Sequence, residues 1–297
     1  MIILPSIVFH LYRPAAWLRV TGPDAETFLQ GQFSNDLRPA KGGGTVYGLW
    51  LSHKGKILAD SFVIGDGGAG FWLGSLFSPG ATLRKHLEDH IIADDVTVED
   101  LGDGWNGVAL VGAGAGAWLE SEPRAGLVFR GRRALAENWE WVYPTASAGE
   151  VAACLAGGKE GSATDLERLR IASGIPAVPA DLGPGDLPQE GGLEAAAISH
   201  SKGCYLGQEV MARLRSGRVR RRLVRVEGRG PIPPLPTPLW QEGRRAGELR
   251  TAIGDPEGGG FMGLALVALP ALQAGLPFSV AADQAPSVVA ATFPEIS

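Results

Sequence analysis

The chain has 297 residues, 45% of them hydrophobic and 20% charged, enough apolar material for a substantial core divided among two or three compact units. A net charge of -5 excludes a protein that binds nucleic acid over its whole surface, and two cysteines, Cys154 and Cys204, are too few for a disulfide framework and fit a reducing cytosol. No apolar run reaches the roughly 18 to 20 residues that span a bilayer, and the opening MIILPSIVFHLYRP lacks the basic flank of a signal peptide and the Arg/Ser-rich character of a transit peptide, so the expected location is cytoplasmic.

The 43 glycines and 21 prolines lie between apolar runs and punctuate many short elements. Trp17 to Thr21 reads as a strand. The turn Gly22-Pro23-Asp24 then opens a helix in which Ala25, Phe28 and Leu29 share a face and Asp24 is the cap. Val46 to Leu51 and Ile57 to Ile64, separated by His53-Lys54-Gly55-Lys56, form a predicted β-hairpin, and Phe71 to Leu76 a further strand. Leu83, Leu87 and Ile91 recur at steps of four and predict an amphipathic helix over 79–92. Val96 to Glu99, Val108 to Val111 and Leu127 to Phe129 are strand candidates. The run ATDLERLRIASG reads as a helix with Gly174 at its C-terminal cap, and a Gly- and Pro-rich loop then delivers Leu187-Pro-Gln-Glu190. Beyond Val219, alternating apolar residues broken at Pro and Gly predict a small β-barrel.

The most informative stretch is Ile198-Ser-His-Ser-Lys-Gly-Cys204-Tyr-Leu-Gly-Gln-Glu209. Gly203 and Gly207 permit a tight backbone path, and residues 208–214 look helical. Cys204 is therefore expected just before a helix N-terminus and two residues from Lys202, both of which lower a thiol pKa. Cys154 lies in an Ala/Leu-rich setting and is the poorer candidate for chemistry. The competing reading of Cys204 is a small buried core residue, since cysteine is among the most buried residue types.

The run KGCYLGQE resembles the signature of the YgfZ family of folate-binding proteins, within the superfamily of the glycine-cleavage aminomethyltransferases. TGPDAETFLQGQFSNDL, KGKILAD, LRIASGIP and LPQE resemble further segments of that family in the same order, so the resemblance spans most of residues 17–215. It implies an α+β fold of three domains in a ring around a central tetrahydrofolate cavity, with a small C-terminal β-barrel. The expected division is residues 1–50 with 160–218, residues 51–159, and residues 219–297.

Several site residues follow from the resemblance. A carboxylate pairs with the donor-rich edge of the pterin, and Glu190 is the first choice and Glu209 the second, although Glu209 is also placed to anchor the motif to backbone. Asn35 and Gln208 line the cavity. Tyr205 and Trp17 stack on the folate rings, or else belong to the core. Asp60 stands where the transferase branch has an aspartate pair and this chain has Ala59-Asp60. The implied function is a tetrahydrofolate-binding accessory factor for assembly or repair of iron–sulfur clusters in client enzymes, including those that thiolate tRNA. Cys204 is then a nucleophile or a transient ligand of an iron–sulfur cluster. The alternatives are a folate-dependent one-carbon transferase using Asp60, and a folate-storage or sensing module with a structural cysteine.

Other signals are weaker. Gly112-Ala-Gly114-Ala-Gly116 matches the loose form of a dinucleotide fingerprint but reads as a strand-to-helix turn of small residues. His86 and His90 lie four apart on a helix expected to present them to solvent, and His200 with Cys204 supplies only two metal ligands. The arginines at 213, 215, 218, 220, 221, 222 and 225 form one basic cluster. It is either a solvated linker or a contact for the glutamate tail of a folate, for tRNA or for an acidic partner.

Overall fold

The computed structural model describes residues 7–121, 125–214 and 219–291. After β1 (Val8–Tyr12) and β2 (Ala16–Thr21), α1 (Ala25–Gln32) buries Ala25, Phe28 and Leu29. Asp24 occupies the N-cap position, but its side chain makes no capping bond to the helix. Its carboxylate instead accepts from the Asp95 backbone N–H at 2.8 Å. The expected hairpin is β3 (Thr45–Leu51) against β4 (Ile57–Gly65), in antiparallel register with Leu49 opposite Asp60. β5 (Phe71–Ser75), α2 (Gly80–Glu88) and β6 (Thr97–Asp100) complete the first sheet, ordered β3-β4-β5-β2-β6. Phe28, Leu29, Leu83 and Leu87 join α1 and α2 to its core, each worth about 1.5–3 kcal/mol relative to exposure.

α2 stops at Glu88, short of the expected Ile92, and its histidines do not form a solvated face. His86 is buried beside Leu83 and Leu87, edge-on to Trp50 at 5.7 Å and 4.7 Å from the His90 ring. Burial lowers its pKa to about 4.

The second sheet begins with β7 (Trp105–Val111), followed by α3 (Ala115–Ser121), β8 (Leu127–Arg130), β9 (Asn138–Pro144), α4 (Ala148–Cys154) and β10 (Lys159–Glu160). Its order is β10-β1-β7-β9-β8. The glycine run is the expected strand-to-helix turn, with Gly112 and Gly114 at positive φ. The Glu137 carboxylate accepts from Gly114 N at 2.8 Å and Gly116 N at 2.9 Å. The expected domain limits need correction. β1 belongs to the second sheet, a cut at residue 50 falls inside β3, and β4, β5 and β6 belong to the first sheet.

α5 (Ala163–Ala172) starts with a capping box between Ser162 and Asp165 and is followed by Gly174 at φ 66°. A 3-10 turn over Pro188–Gly191, α6 (Glu194–Ala197) and α7 (Gln208–Leu214) follow. The last unit contains β11 (Arg221–Arg229), β12 (Thr237–Gln241), β13 (Arg244–Gly254), β14 (Gly260–Ala268), α8 (Leu269–Ala274) and β15 (Val288–Ala291). Its sheet runs β12-β13-β14-β11-β15. Bridges Phe278↔Val288 and Trp240↔Ser279 carry the β15 edge back to β12, giving the barrel-like closure expected. Val226, Leu249, Phe261 and Val267 share one core of this unit. Leu223, Leu264 and Leu266 belong to another, with Ile171, Val178, Leu193 and Met211. That second core seats the barrel on the segment carrying Glu190 and Cys204.

Candidate functional site

Cys204 is exposed with a free thiol, which removes the buried-core reading. Cys154 is half-buried at the end of α4 and packs against the core of the second sheet. The loop bearing Cys204 is strapped on one side to the turn that follows α1 and on the other to the last turn of α1 itself. Ser199 N donates to Ser34 O at 3.0 Å, and Leu206 N donates to Gly31 O at 3.0 Å. Ser34 Oγ donates to Ala197 O at 2.6 Å. Gly207 has φ 86°, and a Cβ there would lie 2.8 Å from Ser52 O, so only glycine lets the loop approach the β3–β4 turn this closely.

Two expectations about the thiol's surroundings change. The helix begins at Gln208, so three residues separate its start from Cys204. Lys202 is buried, and its ammonium donates to Gln30 O at 2.8 Å, Phe33 O at 2.7 Å and Asn35 O at 2.8 Å. All three of its hydrogens are spent, leaving none for the sulfur. Burial lowers the Lys202 pKa to about 8. Tyr205 is buried in the core under the barrel, with the Lys202 Nζ 5.2 Å from its ring centroid, and burial raises its pKa to about 12.

A second cluster surrounds Asp60. Its Oδ1 accepts from Ser78 Oγ at 2.6 Å and Ser75 Oγ at 2.9 Å, and its Oδ2 accepts from the Tyr47 hydroxyl at 3.0 Å. Arg132, from the loop after β8, stacks over the Tyr47 ring with its Cζ 4.0 Å from the centroid. Burial raises the pKa of the Asp60 carboxyl, while the hydrogen bonds and the Arg132 charge oppose that shift. Asn35 links the two clusters. Its Nδ2 donates to Tyr47 O at 2.8 Å and Ala196 O at 3.3 Å, and its carbonyl is one of the three that Lys202 holds.

Other expected ligand residues are committed elsewhere. Glu190 is buried, and Arg221 grips it with Nε to Oε1 at 2.9 Å and Nη2 to Oε2 at 2.9 Å. Leu187 N adds a third bond at 2.8 Å. The barrel arginine therefore holds the acceptors expected to face a pterin. Glu209 is exposed and pairs with Arg213 along α7, while Gln208 opens that helix half-buried. Trp17 is fully buried between Trp72 and Trp105, at 5.7 and 5.4 Å, so it belongs to the core and has no face for a ligand.

The basic cluster divides in the same way. Arg221, Arg213 and Arg225 are paired with Glu190, Glu209 and Glu227. Arg220 and Arg222 are exposed, and Arg215 and Arg218 lie outside the described residues. Among the described residues no group of three or more His, Cys, Asp or Glu side chains is arranged to hold a metal ion. No described helix is long and apolar enough to cross a membrane.

Tyr47, Ser75, Ser78 and Arg132 are the members of the Asp60 cluster that sequence reasoning missed. Tyr47 had a usable signal. In the hairpin register it pairs with Phe62, two residues from Asp60, which makes it a diagonal neighbour of the carboxylate. Arg132 reaches the cluster from a different sheet and had none.

Residues 14–124 match the GCVT N-terminal domain family, and residues 220–294 match the CAF17 C-terminal beta-barrel domain family. A solved structure of the glycine cleavage system aminomethyltransferase T from Bartonella henselae shares the fold at a TM-score of 0.78 and 18% identity, covering 98% of this chain and 87% of that one. The mitochondrial iron-sulfur cluster assembly factor IBA57 of Mus musculus is 30% identical over 300 residues, covering 93% of this chain and 81% of its own. The protein of the same name from Homo sapiens is 32% identical over 274 residues, 84% of this chain and 74% of its own. These matches bear out the wider superfamily without singling out its YgfZ branch: the chain belongs to the family of the iron–sulfur cluster assembly factor IBA57.

Proposed function

We propose that this protein is an iron–sulfur cluster assembly factor that works through the Cys204 thiol and holds a reduced folate beside Asp60. The observation that carries the reading is the exposure of Cys204 on a loop strapped at both ends, in a chain whose relatives bear that function in their names. A thiolate is a soft ligand for iron, and one cysteine leaves coordination positions open. Assembly or client proteins would supply the remaining ligands. The cluster is then cargo, with enzymes that thiolate tRNA among its destinations, and the cytoplasm is the compartment this reading assigns.

The folate belongs at Asp60 on grounds of acceptor capacity. Among the described residues Asp60 Oδ2 accepts one hydrogen bond, from Tyr47, so a lone pair remains there for an N–H of the ligand. Glu190 has its charge neutralised by Arg221. Bound there, a reduced folate would supply a one-carbon carrier, with Asp60 and Tyr47 orienting its polar edge and Arg132 closing over the ring face. The hydrogen-bonded, buried Asp60 also favours a second reading, a one-carbon transferase in which this carboxyl sits next to the reacting amine.

Two measurements test these parts. Iodoacetamide near neutral pH should modify Cys204 about tenfold faster than the half-buried Cys154, and prior modification should abolish anaerobic uptake of ferrous iron and sulfide. Uptake that survives full modification of Cys204 would remove the thiol from the account. In calorimetric titration with tetrahydrofolate, Asp60→Asn should weaken binding about tenfold, as loss of a charged acceptor does, whereas Glu190→Gln should stay within about threefold of the unmodified protein. No binding by the unmodified protein at high micromolar folate would reject the folate site. Turnover of a one-carbon folate that Asp60→Asn abolishes would establish the transferase reading.

A further inference from the structure

We propose that Lys202 is a positioning residue for Cys204 and acts by capping the C-terminal end of α1 in trans. This inference rests on the reading that Cys204 is the working thiol. α1 has no basic residue in its last turn, although the final carbonyls of a helix lack intrahelical partners and carry partial negative charge. Lys202 supplies the missing cation from a segment about 170 residues later in the chain, since its separations from Gln30, Phe33 and Asn35 are 172, 169 and 167 residues.

The geometry explains why the residue is a lysine. Three carbonyls converge on one nitrogen at 2.7–2.8 Å, and an ammonium presents three hydrogens from one point. A guanidinium spreads its donors across a plane and cannot make this tripod. The partner is backbone, so no side-chain change on the α1 side can relax the constraint. With Ser199 N bonded just beyond the end of α1 and Leu206 N bonded to its last turn, the tripod pins the middle of the loop, and Cys204 stands two residues beyond it with its side chain exposed. Lys202 thereby fixes where the sulfur is presented to an incoming cluster donor or client. The turn that follows α1 also carries Asn35, whose side chain reaches Tyr47 O, so the position of the thiol is referred to the hairpin that holds Asp60.

The test compares Lys202→Arg, Lys202→Met and Cys204→Ser in cells lacking the native gene, reading the activity of cluster-dependent enzymes. Melting of the purified proteins and the iodoacetamide rate at Cys204 serve as controls. Both Lys202 variants should lose about tenfold or more of the rescue, as small misplacement of a reacting group does. Cys204 in the same variants should still react with the small reagent within about threefold of the unmodified rate. Full rescue by Lys202→Arg would overturn the proposal, because a positive charge without the tripod would then suffice, and so would full rescue by Lys202→Met. Should both variants fail to fold, acetylation of the native protein decides. Lys202 should be modified about tenfold more slowly than the exposed Lys54, and equal rates would show that the clamp does not exist. Rescue by Cys204→Ser defeats the parent reading, whereas failure of Cys204→Ser with rescue by Lys202→Arg defeats only this inference.

Discussion

Arg170→Ala is expected to lower the unfolding free energy by about 3–5 kcal/mol, the usual cost of removing one partner of a buried ion pair. Arg170 is 1% exposed and sits where three segments meet. Its Nη1 donates to Asp181 Oδ2 at 2.6 Å and Ile175 O at 2.6 Å, and its Nε donates to Glu167 Oε2 at 2.8 Å. Thr251 Oγ1 donates to Asp181 Oδ1 at 2.6 Å, so the pair joins α5 and the loop leading to Glu190 to strand β13 of the barrel. The alanine variant strands the Asp181 carboxylate, whose side chain is fully buried. A double variant, Arg170→Met with Asp181→Leu, should recover part of the loss, because it leaves no unpaired buried charge. Urea unfolding followed by circular dichroism measures both. A single-variant loss below about 1 kcal/mol would mean that water reaches this junction.

Periodicity made the first sheet legible. The alternation around His53 to Lys56 placed the hairpin, and the Ala25, Phe28, Leu29 stripe placed α1, because these elements each bury one face against a local partner. β9 was harder to read. Glu140 points inward to meet Arg133 at 2.7 Å, which puts a charge where alternation predicts an apolar residue. β1 escaped for a different reason. Its partner strands are β7, about a hundred residues away, and β10, beyond that, and no local pattern reports which sheet a terminal strand will join. Misplacement of the domain limits followed from that.

At the candidate site the residue types were readable and their partners were not. The glycines around Cys204 signalled a tight backbone path, and Gly207 against Ser52 O bears that out. Lys202, by contrast, read as a charge beside a thiol, because sequence shows proximity along the chain and conceals the helix end on which the ammonium lands. Glu190 misled in the same way. Its loop is polar and glycine-rich as a ligand loop would be, but Arg221 from the barrel reaches back to claim it. A buried carboxylate is matched by whichever cation the fold brings nearest.

The most direct test of the central claim replaces one atom. Cys204→Ser keeps the size and the loop, since the tripod on Lys202 and the straps at Ser199 and Leu206 do not involve the sulfur. The variant should therefore fold and melt like the unmodified protein. A serine hydroxyl stays protonated near neutral pH and is a poor ligand for iron, so the chemistry should be lost. In cells lacking the native gene, the unmodified protein should restore the activity of cluster-dependent enzymes, and Cys204→Ser should restore none, with Cys154→Ser close to neutral. Full restoration by Cys204→Ser, at equal protein level, would contradict the account.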